Sequence, residues 1–260
     1  MAMSQLIVFI LGLLIGSFLN VCIYRMPKGE SIIFPESHCP NCKKKVLWYD
    51  NIPIVSYLAL MGKCRACKAK ISYRYPLVEA LTALLLVALF VGFGMTPKFL
   101  AYSIMTCGLI VATFIDFEIQ EIPDEISMGG IVVGVLLALA FPSIMGGAGR
   151  LHSLLDSAAG MIAGGGSIFL LGVIGKLAFK KDAMGGGDVK LMAMIGSILG
   201  VKLVILTFFI APFLGAVPGV ILRIRKGFET IPYGPFLSMA ALISIFVGNK
   251  ILGLLFGGLF

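Results

Sequence analysis

Apolar runs of near-bilayer length recur along this chain, and no other feature constrains its fold so tightly. A helix needs roughly 20 apolar residues to cross a hydrocarbon core of about 30 Å. Eight candidate segments occur, at residues 4–24, 77–94, 99–115, 126–142, 154–178, 188–199, 201–222 and 235–258. The 188–199 run is short, and only Gly200 divides it from the next. Hydrophobic residues make up 59% of the chain and charged residues 13%, with a mean hydropathy of +1.03, which is outside the soluble range. The expected fold is an all-α polytopic membrane protein of about eight transmembrane helices. The first run has no basic stretch before it and no small-residue cleavage site after it, so it is expected to be a retained span.

The net charge of +8 is explained by where the bases fall rather than by a nucleic-acid partner. Of the 21 lysines and arginines, all but Lys98, Arg150, Lys202 and Lys250 flank the odd-numbered loops. Bases concentrate on the cytoplasmic side of membrane proteins, so these loops are expected in the cytoplasm and both termini outside.

Residues 25–75 break the apolar pattern and contain four of the six cysteines. Cys39-Pro40-Asn41-Cys42 and Cys64-Arg65-Ala66-Cys67 are CxxC knuckles separated by 21 residues. Each knuckle supplies half of a tetrahedral sulfur cage suited to zinc, and four cysteines without an open position make a structural site rather than a catalytic one. Disulfide or redox use is the competing reading, and a cytoplasmic loop disfavours it. His38 is either a substitute ligand or a solvated loop residue. Trp48, in the apolar 46–58 stretch between the knuckles, reads as an interfacial anchor.

Two aspartates stand where hydrocarbon ends. Asp116 follows the third run, in Thr113-Phe114-Ile115-Asp116-Phe117-Glu118, and Asp188 follows Met184-Gly185-Gly186-Gly187 and precedes the next run. An ionisable group costs roughly 2.5–3.5 kcal/mol at the centre of a membrane helix, so such groups face an interior or a wet cavity and serve a function. By topology both acids lie at cytoplasmic ends of spans. A carboxylate pair can share a proton, one member activating water while the other protonates a leaving amine, which is the chemistry of aspartic proteolysis. Glycines before Asp188 would let an extended substrate backbone approach the pair. Paired acids also serve proton relays and ion sites, so a transporter or channel remains the alternative on chemistry alone. Glu79, one turn into the second run, suits either the helix dipole or the wall of the same cavity. Asp124, after Pro123, reads as a first-turn or capping acid.

With these motifs in order, the chain resembles the bacterial type IV prepilin peptidases, within the GxGD intramembrane aspartyl proteases. The resemblance rests on Gly16-Ser17-Phe18-Leu19-Asn20-Val21, Arg25 and Pro27, the two knuckles, Arg74-Tyr75-Pro76-Leu77-Val78-Glu79, the Asp116 to Asp124 segment, Gly185 to Leu191, and Ile231-Pro232-Tyr233-Gly234-Pro235-Phe236. It implies cleavage of the basic leader of type IV prepilins or secretion pseudopilins, typically between Gly and Phe, at the cytoplasmic face of the bacterial inner membrane. N-methylation of the new terminus from S-adenosylmethionine then follows. The knuckles favour this bifunctional type over shorter relatives that lack methylation, although a peptidase without methyltransferase activity stays open. Asp116 and Asp188 are then the catalytic dyad, Gly185 and Gly187 support the active-site loop, and Cys39, Cys42, Cys64 and Cys67 hold zinc. No glycine fingerprint of a dinucleotide-type fold occurs, so no residue is assigned to S-adenosylmethionine. The implied organisation is a first transmembrane helix (1–24), a four-cysteine zinc-binding module (25–75) and a transmembrane aspartic peptidase core (76–260).

Overall fold

The computed structural model describes residues 2–147, 149–180, 184–226 and 232–256. Lys181, Ile231 and the end of the last predicted span at 257–258 lie outside the described residues. The eight apolar runs become seven long helices: α1 (Ala2–Arg25), α3 (Arg74–Phe93), α4 (Pro97–Ile119), α5 (Asp124–Ala140), α6 (Arg150–Phe179), α7 (Gly186–Lys226) and α8 (Gly234–Phe256). A five-residue helix, α2 (Val55–Ala59), lies in the loop after α1. Among the described residues no strand forms, and six helices are long and apolar enough to cross a membrane; α5 has 17 residues. The protein is a multi-pass membrane protein.

The two runs on either side of Gly200 form the single 41-residue helix α7, which breaks only at that glycine, where φ is 74° and ψ is 177°. Extended ψ with positive φ is glycine territory. The chain thus changes helical register there without a polar linker, and hydropathy alone does not show whether one helix or two is present.

Two compact units divide the chain, Met1–Met95 and Thr96–Phe260. Within the first, α1 packs along α3. The approach is closest at Gly12 and Gly16, where a Cβ would fall 2.6 Å from Ala83 Cα and 2.7 Å from Glu79 Cα. Small residues four apart let two backbones meet, which is the membrane route to dense packing when hydrophobic burial offers no gain. Asn20, one turn on, is buried and donates to the Tyr75 carbonyl at 3.0 Å. Pro27 lies in the 3-10 turn that follows Arg25, and this turn ends at Gly29.

Within the second unit, α6 and α7 share the most extensive contact, and α7 also packs against α5 and α8. α4 begins with Thr96, whose hydroxyl accepts the Phe99 amide, and Pro97 follows at the first helical position. α4 stops when Gln120 turns left-handed, at φ 57°, and the chain re-enters helix at Asp124. This short turn brings the end of α4 to the beginnings of α7 and α8.

Candidate active site

α4, α7 and α8 each contribute a terminus to one site. Asp116 sits on the last turn of α4, is 5% exposed, and accepts the backbone amide of Gly234 at 2.9 Å through Oδ2. Gly234 is the first residue of α8. A carboxylate therefore meets both an unsatisfied amide and the positive end of a helix dipole, which together explain how a buried acid is tolerated there. Asp188 lies in the first turn of α7 and accepts the Gly185 amide at 3.2 Å through its own Oδ2. This is the half of a capping box in which an N3 acid reaches back to the residue before the helix. Asp188 is close enough to Asp116 for the two carboxylates to repel.

Two glycines make room for this arrangement. A Cβ at Gly234 would fall 2.8 Å from Asp116 Oδ2 and 3.2 Å from Ile122 Cδ1, and one at Gly187 would fall 3.1 Å from Ile122 Cβ. Ile122, in the turn between α4 and α5, thus packs against the starts of both α7 and α8. Asp124 and Lys190 form an ion pair at 2.6 and 2.8 Å, tying α5 to the first turns of α7. Asp124 does stand at the helix start, but its side chain makes no cap and serves this pair instead.

Tyr233, immediately before α8, is half-buried, with its ring 6.5 Å from that of Phe236. Burial and, behind it, the charge of Asp188 push its phenol up to about 12, so it remains an O–H donor at neutral pH. Gly234 thus holds Asp116 directly, while the adjacent Tyr233 lies within reach of the charge of Asp188. In the sequence, Tyr233, Gly234 and Ile122 stand within stretches that carry the family resemblance, with no part in the site assigned to them. The available signal was the Pro232-Tyr233-Gly234-Pro235 run.

The first unit contains the four-cysteine cluster, whose ligand atoms could hold a metal ion. Each knuckle closes in the same way: the Lys43 amide donates to the Cys39 carbonyl at 2.9 Å and that of Lys68 to the Cys64 carbonyl at 3.0 Å. Lys43 and Lys68 both have φ 59°, and isolated bridges, His38 with Lys45 and Lys63 with Lys70, flank the two turns. The sulfurs of Cys39, Cys42, Cys64 and Cys67 all lie within 4.8 Å of one another, and those of Cys39 and Cys67 are 3.9 Å apart. A tetrahedral cage with zinc–sulfur bonds of about 2.3 Å has edges of about 3.8 Å; the Cys39–Cys67 edge already matches it, and separations of up to 4.8 Å would close by at most about 1 Å around the ion. His38 stays out of the cluster, with Nδ1 3.1 Å from the Glu36 carbonyl. Amides of Cys67 and Ala66 donate to the Cys64 sulfur and bring that thiol down to about 6. The Lys44 amide acts likewise on Cys42, but desolvation and the sulfurs of Cys67 and Cys39 outweigh it and push Cys42 up to about 11. Asp50 and Arg65 brace the second knuckle with a two-pronged pair at 2.7 and 2.8 Å.

Glu79 lies beyond the first turn of α3 and makes local contacts. Its carboxylate, 6% exposed, accepts the amide of Ile54 at 2.8 Å and a hydrogen bond from Ser17. It pins the loop around Ile54, which has φ 60°, an unfavourable conformation for a β-branched residue.

Residues 10–93 match the family described as Bacterial Peptidase A24 N-terminal domain, and residues 103–220 match the Type IV leader peptidase family. The chain is 37% identical to the Prepilin leader peptidase/N-methyltransferase of Neisseria gonorrhoeae, covering 92% of this chain and 89% of the relative. It is 36% identical to the protein of the same name from Pseudomonas aeruginosa, over 93% and 90%. Similarity to the Type 4 prepilin-like proteins leader peptide-processing enzyme of Escherichia coli is also 36%, over 91% of each chain. No solved structure is detectably similar.

Proposed function

The chain belongs to the type IV leader peptidase family, and from that premise we propose that it removes the leader from type IV prepilins or pseudopilins and methylates the new N-terminus. The observation that carries the first step is the meeting of Asp116 and Asp188, close enough to repel, across the termini of α4, α7 and α8. One carboxylate takes a proton from water as its oxygen bonds to the scissile carbonyl carbon. The other gives a proton to the departing nitrogen as the C–N bond breaks. Amides from Gly185 and Gly234 hold Oδ2 of each acid, and Oδ1 of each makes no hydrogen bond to a described residue. The pair is thereby oriented before substrate arrives. The acidic residues Glu118, Glu121 and Glu125 around Asp116 suit the basic leader of such a substrate.

Zinc is the ion proposed for Cys39, Cys42, Cys64 and Cys67, where it would cross-link the two knuckles. S-adenosylmethionine supplies an electrophilic methyl group on a sulfonium when bound; the amine freed by cleavage accepts it after losing a proton. The cysteine loop and both acids are assigned to the cytoplasmic face on the distribution of basic residues.

The test is co-expression with a prepilin, reading the mature N-terminus by mass spectrometry. Wild type is expected to give a cleaved, methylated product, and Asp116→Asn or Asp188→Asn an intact leader, with rate losses of about 10²–10⁴-fold or more. Cleavage that survives both substitutions would remove the dyad from the reaction and return the acids to ion transport.

A further inference from the structure

The first unit contains a cavity of about 580 Å³ between α1 and the loop before α2. Its size falls within the roughly 300–1,000 Å³ of small-molecule sites. Phe18 and Ile33 make part of an apolar wall, Trp48 borders the cavity, and Glu36 and Lys45 bring opposite charges to it.

This wall is built by a buried cation. Arg25 is 4% exposed, and its guanidinium donates to the carbonyls of Ser31 at 2.9 Å, Pro35 at 2.6 Å and Glu36 at 3.4 Å. A rigid five-donor fork thus fixes the backbone from 31 to 36 and, with it, the position at which the Glu36 side chain leaves the chain. Lys45 sits opposite, in the bridge that closes the first knuckle, and pairs with Glu36. The closed first knuckle and the Arg25 fork therefore set the two sides of the cavity.

We propose that this cavity is the S-adenosylmethionine site. The inference rests on the methyl-transfer reading above and deepens it by assigning residues. Three chemical features of the ligand find counterparts. Its amino-acid end carries an ammonium and a carboxylate on one carbon, matching the adjacent Glu36 carboxylate and Lys45 ammonium. Its adenine is a flat π-system, and Trp48 presents an indole that is 81% exposed. Its sulfonium is a soft cation, which an aromatic face or a carboxylate stabilises. An interfacial anchor accounts for a lone exposed tryptophan in general, but it does not account for a charge pair of opposite sign beside it.

The experiment uses the full-length, zinc-loaded protein in nanodiscs, titrated calorimetrically with S-adenosylmethionine. Leader cleavage and zinc content, which depend on Asp116, Asp188 and the cysteines, report the fold of each variant. Wild type is expected to bind. Trp48→Ala is expected to weaken binding about tenfold or more, as loss of a base-stacking partner does. Glu36→Gln is expected to weaken it several-fold, with cleavage and zinc unchanged. Trp48→Phe, which keeps a stacking surface, is expected to bind better than Trp48→Ala, and Glu36→Gln carries the test should the alanine variant lose its fold. Ultraviolet cross-linking of labelled S-adenosylmethionine should mark the peptide containing Trp48. Binding within twofold of wild type in Glu36→Gln and in a folded Trp48→Ala overturns the site while leaving methyl transfer standing. A cross-link confined to peptides that do not line this cavity overturns it as well. A wild type that binds none overturns the methyl-transfer reading and this site with it.

Discussion

At Asp116 and Asp188 a single carboxylate oxygen is committed to a helix-initiating amide, so the position of each acid depends on backbone that carries no catalytic side chain. Gly234→Ala tests this. Its Cβ would fall 2.8 Å from Asp116 Oδ2 and force the carboxylate away from the Gly234 amide. A displacement near 1 Å costs about 10²-fold in rate, so cleavage of a prepilin should fall by about that factor while zinc content is unchanged. Near-wild-type turnover would show that Asp116 does not need this amide. The cysteine cluster offers a second test, with a defined sign in pH. Zinc needs thiolates. Backbone amides push the Cys64 thiol down to about 6, while desolvation and the neighbouring sulfurs push that of Cys42 up to about 11, so near pH 7 the cluster must release at least one proton, that of Cys42, on binding. Acidification should weaken zinc binding by at least about tenfold per pH unit, and more steeply below about pH 6, where Cys64 also takes up a proton. Competition with a chromogenic chelator measures this, and a flat profile would contradict it.

Helix α1 shows how much an element reveals in sequence. Its span was legible as the apolar run at 4–24, and Gly12, Gly16 and Asn20 stand on one face of it at a four-residue spacing. The partner of that face, Ala83 and Glu79 on α3, was not, since nothing in a glycine names the backbone it will meet. Gly16→Leu should push the two helices apart and destabilise the protein by roughly 1–3 kcal/mol, the usual cost of overpacking. Thermal unfolding in detergent would check it, and an unchanged midpoint would mean that α1 and α3 are not held at this contact. The same distinction explains the site. Two acids at the edges of apolar runs are conspicuous because membranes penalise them. Gly234 acts through its amide and Ile122 through its shape, and neither is marked by composition. α7 was divided at Gly200 because a backbone break and a loop look alike in hydropathy. The Arg25 fork was hidden for a further reason: its acceptors are carbonyls, which every residue has.

For the molecule as a whole, the two proposed activities fall in different compact units, the aspartates in Thr96–Phe260 and the cysteine cluster with its neighbouring cavity in Met1–Met95. Their order is fixed by chemistry, because the amine to be methylated does not exist until the peptide bond is cut. A variant lacking the dyad should therefore fail at both products when given an intact prepilin, although its methyl-transfer machinery is untouched. Supplying a peptide that already begins with the mature phenylalanine separates the two cases. Asp188→Asn should methylate this pre-cut peptide at a rate within a few-fold of wild type, because removing an acid–base group slows only the step that uses it. Methyl incorporation from labelled S-adenosylmethionine gives the readout. Loss of methylation on the pre-cut peptide would show that Asp188 serves both reactions, and the division of labour between the two units would have to be abandoned.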